Sequence, residues 1–292
     1  MPNRHHSGHH SEERLAIARG EPAPPSLLGW LRVALRLLSI LALLIAFVPL
    51  HYFFRLVRYG SPFPKWFLAA LTRIAGARVR RVGTPLRRDV VFISNHVSWL
   101  DIAALAGASG TAFVSKAELA KTPVVGWLAS LNRTVYVQRE NRMGVAEQIN
   151  QLREALLDNW SITVFPEGTT TDGHSLLPFK SSMLSVLETP PPGVMVQPVV
   201  LDYREISEWI GWIGEESGAH NALRVLARRG TFRLDLHFLD PFSPGEHGNR
   251  KAIAQASRKV IEQRLVETRG GAPLRDFAHT VEAIRYTPPD ED

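Results

Sequence analysis

The pattern of apolar and polar positions divides the chain into an apolar N-terminal part and a longer alternating part. Leu37 to Phe54 form eighteen residues without a formal charge, which as a helix would just cross a bilayer core of roughly 30 Å. Pro49 and His51 interrupt this run. A second apolar stretch, 66–75, follows the breakers Gly60-Ser61-Pro62-Phe63-Pro64, so two helices joined by a short turn are predicted, both able to dip into one leaflet. Further on, short apolar runs bounded by turn residues alternate with segments of helical period. Strands are predicted near 90–93, 111–114, 134–137, 161–165, 194–201 and 232–239, and helices near 101–108, 123–131, 143–158 and 252–265. Such alternation predicts an α/β fold: a mixed, mainly parallel sheet flanked by helices, with an N-terminal apolar helical membrane motif. Four regions follow: a tail over 1–25 read as disordered, a membrane-associated helical motif over 26–76, one domain over 77–269, and a loosely attached tail over 270–292. The apolar run starts too far from the N-terminus, and without a small-residue cleavage site behind it, to be a signal peptide.

Charge refines this picture. The formal net charge is +6, and arginines cluster at positions 55, 58, 73, 78, 80, 81, 87 and 88, between the apolar segment and the first buried strand. Such a belt suits an anionic membrane surface. Nucleic acid is the usual rival for a basic chain, but no helix-turn-helix, zinc-finger or RNP-type signature directs the charge there, so no nucleic-acid partner is expected. Arg32 and Arg36 precede the apolar run and Arg55 and Arg58 follow it, so the positive-inside bias chooses no orientation. The chain has no cysteine, which excludes disulfides, cysteine-ligated metal and a cysteinyl acyl-enzyme. His5, His6, His9 and His10 have no acid partners that would complete a metal site, and no metal is expected.

The chemistry concentrates at 90–101. Val90–Ile93 reads as a buried strand delivering Ser94-Asn95-His96 to a loop edge, where open α/β sheets build their sites. His96 and Asp101 would lie about 140° apart on one continuous helix, so they meet only if His96 precedes a helix whose first turn holds Asp101. A neutral histidine oriented by a carboxylate is a general base. A second reading stands beside it: Ser98-x-x-Asp101 ahead of Ile102–Leu105 resembles a capping box, which would make Asp101 structural. No Gly-x-Ser-x-Gly elbow is present, so a serine nucleophile has no support.

Asn95-His96-Val97-Ser98-Trp99-Leu100-Asp101 resembles the first motif of the glycerolipid acyltransferases, the family of lysophosphatidic acid acyltransferase. Thr134–Arg139 resembles the second motif, Phe165-Pro166-Glu167-Gly168-Thr169 the third and Val196-Gln197-Pro198-Val199 the fourth. The resemblance covers roughly 80–240 and implies an O-acyltransferase that uses acyl-CoA or acyl carrier protein as cosubstrate, needs no cofactor, and acylates the free hydroxyl of a one-chain membrane lipid. It makes His96 and Asp101 the catalytic pair and assigns Asn95, Ser98, Arg139, Glu167, Gly168, Thr169, Thr170, Lys180 and Pro198 to substrate binding. Glu167 would accept a hydrogen bond from the acceptor hydroxyl, though Pro-Glu-Gly-Thr is also a plain turn. Arg139 would hold an anionic head group, though it also reads as a surface ion-pair residue. The implied location is the inner membrane, with the catalytic domain facing the cytoplasm.

Two departures bear on the acceptor. Position 170, where the family's third motif usually continues with arginine, is threonine, and Ser182 stands where a glycine commonly follows Leu177-Pro178-Phe179-Lys180. Family frequency places lysophosphatidate first. Similar threonine-bearing sequences of the family include acyltransferases of lyso-ornithine lipid, a phosphate-free acceptor, and this resemblance implies it as the alternative, so Thr170→Arg is expected to shift preference toward the phosphate. A non-catalytic lipid-surface binding protein would not need His96 and Asp101 together, and a hydrolase would lack its serine elbow. Deleting 1–76 is expected to free the protein from membranes only in part, because the arginines at 78–88 remain.

Overall fold

The computed structural model describes residues 13–14, 16–21, 23–57, 60–116, 120–121, 123–137, 150, 154, 156 and 161–275. Six longer helices among them are α1 (Leu27–Leu56), α2 (Phe63–Ile74), α3 (Leu100–Ser109), α4 (Pro123–Leu131), α5 (Gly218–Ala227) and α6 (Arg250–Thr268). The strands are β1 (Ala77–Val82), β2 (Val90–Ser94), β3 (Ala112–Lys116), β4 (Val135–Val137), β5 (Ser161–Val164), β6 (Met195–Asp202) and β7 (Phe232–Phe238). They form one sheet in the order β1-β7-β6-β2-β5-β3-β4. Neighbours run parallel except β6 and β7, which are antiparallel. The expected mixed, mainly parallel α/β architecture is therefore present.

One sheet face packs Phe92, Leu201, Leu234 and Leu236 against α3 and α5. The other packs Val91, Ile93, Val196 and Val200 against α6, through Ile253, Ile261 and Leu265. The predicted helix at 143–158 falls largely outside the described residues, although Leu156 is buried in this second core.

Two differences from the pattern have clear causes. β1 was not among the predicted strands because half of Ala-Arg-Val-Arg-Arg-Val is arginine and the Arg80-Arg81 pair breaks its short alternation. It is one of the sheet's two edge strands, paired with β7, and residues 78–81 are exposed, so its arginines lose no water. Residues 13–14 and 16–18, expected to belong to a structureless tail, are helical instead. Arg14, Ile17 and Ala18 are buried against the loop after β6, where Arg14 Nη2 donates to Gly211 O at 2.8 Å. An apolar pair is too short to show a period. Residues 270–275 are likewise engaged, with the Arg275 N–H donating to His174 O at 3.0 Å.

The two-helix N-terminal motif is as predicted, but α1 begins at Leu27 rather than Leu37. Ser26 caps it, its Oγ accepting from the Gly29 N–H at 3.2 Å. The arginines that this extension takes in turn toward protein. Arg32 Nη1 donates to Ala227 O at 2.9 Å, and Arg36 Nη1 to Leu226 O at 2.8 Å and Val225 O at 3.1 Å. These are carbonyls of the last turn of α5, where only Val225 O also accepts a backbone N–H, from Arg228 at 3.4 Å, so two cations cap α5 and dock α1 on it together. Farther along, Phe47 and Phe54 pack on Phe63 of α2, with ring centroids 5.5 and 5.3 Å apart. α1 is long and apolar enough to cross a membrane, and Leu27, Leu31, Leu38 and Ile45 of it are exposed.

Candidate active site

Parallel pairing of β2 and β5 sets Ile93 opposite Val164. His96 and Glu167 lie equally far beyond that pair, so both loops leave the sheet at one edge and are tied together. Glu167 Oε1 accepts from the His96 N–H at 2.8 Å, and the Thr171 N–H donates to His96 O at 2.9 Å. The turn after His96 then starts α3, which brings Asp101 back. Asp101 Oδ2 accepts from His96 Nδ1 at 2.7 Å and from the Val97 and Ser98 N–H groups at 2.6 and 2.9 Å. The reciprocal capping box is not formed, since the Asp101 N–H donates to Ser98 O and not to its hydroxyl, but the carboxylate closes the turn and fastens the imidazole. Its other oxygen accepts from the hydroxyl of Tyr203 at 2.6 Å.

Tyr203 is fully buried, and its hydroxyl pKa is pushed well up by burial and by the adjacent Asp101 charge, so it remains a donor. Sequence reasoning did not find it, because it follows β6 about a hundred positions from its partner.

The imidazole stacks on Phe165 at 4.1 Å and 13°, and Phe165 on Phe113 at 5.9 Å and 9°. With Nδ1 on Asp101, Nε2 is the nitrogen left to face the cavity that His96 lines. This cavity of about 1230 Å³ has Leu44, Phe47, Phe63 and Phe67 of the two-helix motif on one side of His96, and Thr170, Trp212 and Ile213 among its other walls. No lysine or arginine is among its described lining residues.

The other predicted site residues divide into those that face the cavity and those that build it. Gly168, Thr169 and Thr170 line it. Gly168 has φ +76°, and a Cβ there would come 2.8 Å from Lys180 Nζ, so the third-motif turn and the exposed Lys180 ammonium are neighbours. Asn95 is buried and acts as a length of strand, its amide donating to Leu201 O at 3.0 Å and accepting from the Leu201 N–H at 2.8 Å. Ser98 is buried within the turn, and Pro198 lies inside β6 opposite Ile93. None of these three faces the cavity. Arg139 lies outside the described residues.

Glu167 differs most from its expected part. It is 1% exposed, and its second oxygen accepts from the Leu177 N–H at 2.9 Å, so it braces the His96 loop and has no face open to an acceptor. Burial pushes its pKa up to about 8, against the pull of the two amides. Between the ordinary carboxyl range and that value the folded protein keeps a proton that the unfolded chain has released, so this stability is lost as pH rises through about 8. The thermal midpoint of the wild type in detergent should fall between about pH 5 and pH 8.5, and Glu167→Gln, having no proton to lose, should flatten that fall. Equal slopes for both proteins would mean that Glu167 is ionised throughout.

The Acyltransferase family model matches residues 76–202. The lyso-ornithine lipid O-acyltransferase of Rhizobium meliloti (strain 1021) is 32% identical over 263 residues, 82% of this chain and 89% of that protein. The chain belongs to the PlsC-like glycerolipid acyltransferase family. This acyltransferase is also 30% identical over 257 residues to the lyso-ornithine lipid O-acyltransferase of Brucella abortus (strain 2308), covering 82% of this chain and 96% of that one. Its fold matches that of the 1-acyl-sn-glycerophosphate (LPA) acyltransferase PlsC from Thermotoga maritima, with a TM-score of 0.59 at 20% identity over 82% of this chain and 96% of that chain.

Proposed function

We propose that this O-acyltransferase transfers an acyl chain from the thioester of acyl-CoA or acyl carrier protein to the free hydroxyl of lyso-ornithine lipid. The observation that carries the chemistry is the imidazole of His96, fastened at Nδ1 by Asp101 and lining the cavity. The acceptor oxygen attacks the thioester carbonyl while Nε2 takes its proton, and Asp101 offsets the imidazolium charge. The tetrahedral intermediate then collapses, the C–S bond breaks, and the thiolate leaves as a thiol with the proton from Nε2. A protein that only bound lipid surfaces would have no use for this fastened base.

The acceptor reading reverses the order set by family frequency. A phosphate monoester carries nearly two charges and calls for convergent cations, yet the described cavity lining offers neither lysine nor arginine. The ornithine head group carries one carboxylate and one ammonium, for which Lys180 beside Gly168 supplies a single cation at the edge of the site. The names of the relatives point the same way.

The exposed apolar face of α1 supports burial of the two-helix motif in the inner membrane, and the arginines of β1 support contact with anionic head groups. The domain then faces the cytoplasm, where both thioester donors are found. A competition between lyso-ornithine lipid and lysophosphatidate for one labelled donor, run with full-length protein in detergent, tests the reading. Predominant acylation of lyso-ornithine lipid is expected, and predominant phosphatidate overturns it.

A further inference from the structure

Thr170 does not present its hydroxyl to the cavity. The Oγ1 donates to Trp212 O, and the Trp212 N–H donates to Val97 O at 2.9 Å. One residue of the loop after β6 is therefore tied at both backbone atoms, by its N–H to the His96–Asp101 turn and by its carbonyl to the third-motif loop. The indole Nε1 donates to Glu216 O at 2.6 Å. From outside, Arg14 Nη2 holds Gly211 O at 2.8 Å, and Ala18 O accepts from the Glu215 N–H at 2.7 Å. Gly214, at φ +64°, lets this second strap close, since a Cβ there would stand 2.3 Å from Ala18 O. Thr170, Trp212, Ile213 and Gly214 all line the cavity, and none carries a charge.

We propose that Thr170 is a positioning residue that sets acceptor choice through Trp212: its hydroxyl fixes residues 212–214 as an uncharged wall beside His96. This rests on the acceptor class proposed above. A zwitterionic head group can pair its own carboxylate and ammonium and so loses less on packing against an apolar wall, whereas a phosphate monoester is desolvated there with no counter-charge of its own. An arginine at position 170, which is nearly buried, would have to break the tie and displace the wall. The shift toward phosphate expected of Thr170→Arg from sequence is thus replaced by a loss of activity on both acceptors.

The test compares Thr170→Val, which keeps the shape and removes the hydroxyl, with Thr170→Ser, which keeps the hydroxyl. Both are made in the full chain and assayed with lyso-ornithine lipid and lysophosphatidate. Thr170→Val should raise KM for lyso-ornithine lipid about tenfold with kcat within about threefold, and should narrow discrimination between the acceptors while leaving the donor KM alone. Thr170→Ser should behave as wild type. Unchanged discrimination in Thr170→Val, an equal loss of kcat on both acceptors, or a shift in the donor KM instead would overturn the proposal. Should the valine variant not fold, Trp212→Arg keeps both backbone ties and adds a cation to the wall. It should raise the lysophosphatidate share in competition, and no change there sinks the idea. A wild type that prefers lysophosphatidate removes the acceptor reading alone, because the response of the ratio to Thr170→Val still decides whether this wall reads the acceptor.

Discussion

His96→Ala should lower acyl transfer by about 10²–10⁴-fold, the usual contribution of a general base, and Asp101→Asn should lower it by a similar factor without unfolding the protein. The asparagine case follows from the donors around the side chain. Three of them, His96 Nδ1 and the Val97 and Ser98 N–H groups, converge on Oδ2, while Tyr203 reaches Oδ1. An asparagine can keep its carbonyl oxygen toward the three and turn its amide toward Tyr203, whose hydroxyl can rotate to accept. The turn and the histidine orientation survive, and only the negative charge that stabilises the imidazolium is lost. Asp101→Ala lacks this escape and leaves two buried N–H groups unpaired, at about 1–3 kcal/mol each. Initial rates and thermal midpoints of the three variants separate the effects: Asn should lose rate alone, Ala both rate and stability. An Asn variant with near-wild-type turnover would remove the general-base assignment.

How much of this was legible in the sequence depends on how far each feature reaches along the chain. β2 and much of β6 were visible as apolar runs because buried strands of a mostly parallel sheet have no polar face to break them, whereas β5 and β7 were visible by alternation, Ser-Ile-Thr-Val and Phe-Arg-Leu-Asp-Leu-His-Phe. His96 and Asp101 were visible because their geometry is set within one turn. The part of Glu167 was not, since its motif gives the residue but not the two amides, from His96 and Leu177, that occupy it. Tyr203 and Trp212 reach the His96–Asp101 turn from more than a hundred positions along the chain, and no local pattern marks either. Arg32 and Arg36 looked like topology signals because sequence shows charge beside an apolar run but not the α5 carbonyls they bind.

Removing residues 1–76 should abolish activity, not merely loosen membrane attachment as the arginine belt alone suggested. α2 packs on α3 so closely that a Cβ at Gly107 would lie 2.7 Å from the Ala69 backbone. On the cavity side, Leu44, Phe47, Phe63, Phe67, Leu68 and Leu71 of α1 and α2 form the wall across from α3. Without them Ile102 and Ala103 of α3 face water, the cavity loses its apolar side, and a chain seated there gains no burial, at roughly 25 cal/mol per Å² of apolar surface. The carbonyls capped by Arg32 and Arg36 are opened as well. Tethering and wall-building can be told apart by fusing the truncated domain to an unrelated membrane anchor and assaying it in acceptor-containing vesicles. Restored membrane binding without restored acyl transfer is expected. Recovery of more than about a tenth of wild-type activity by the anchor alone would show that the two helices serve only to hold the enzyme at the bilayer, because a lost wall, unlike a lost tether, is not replaced by proximity.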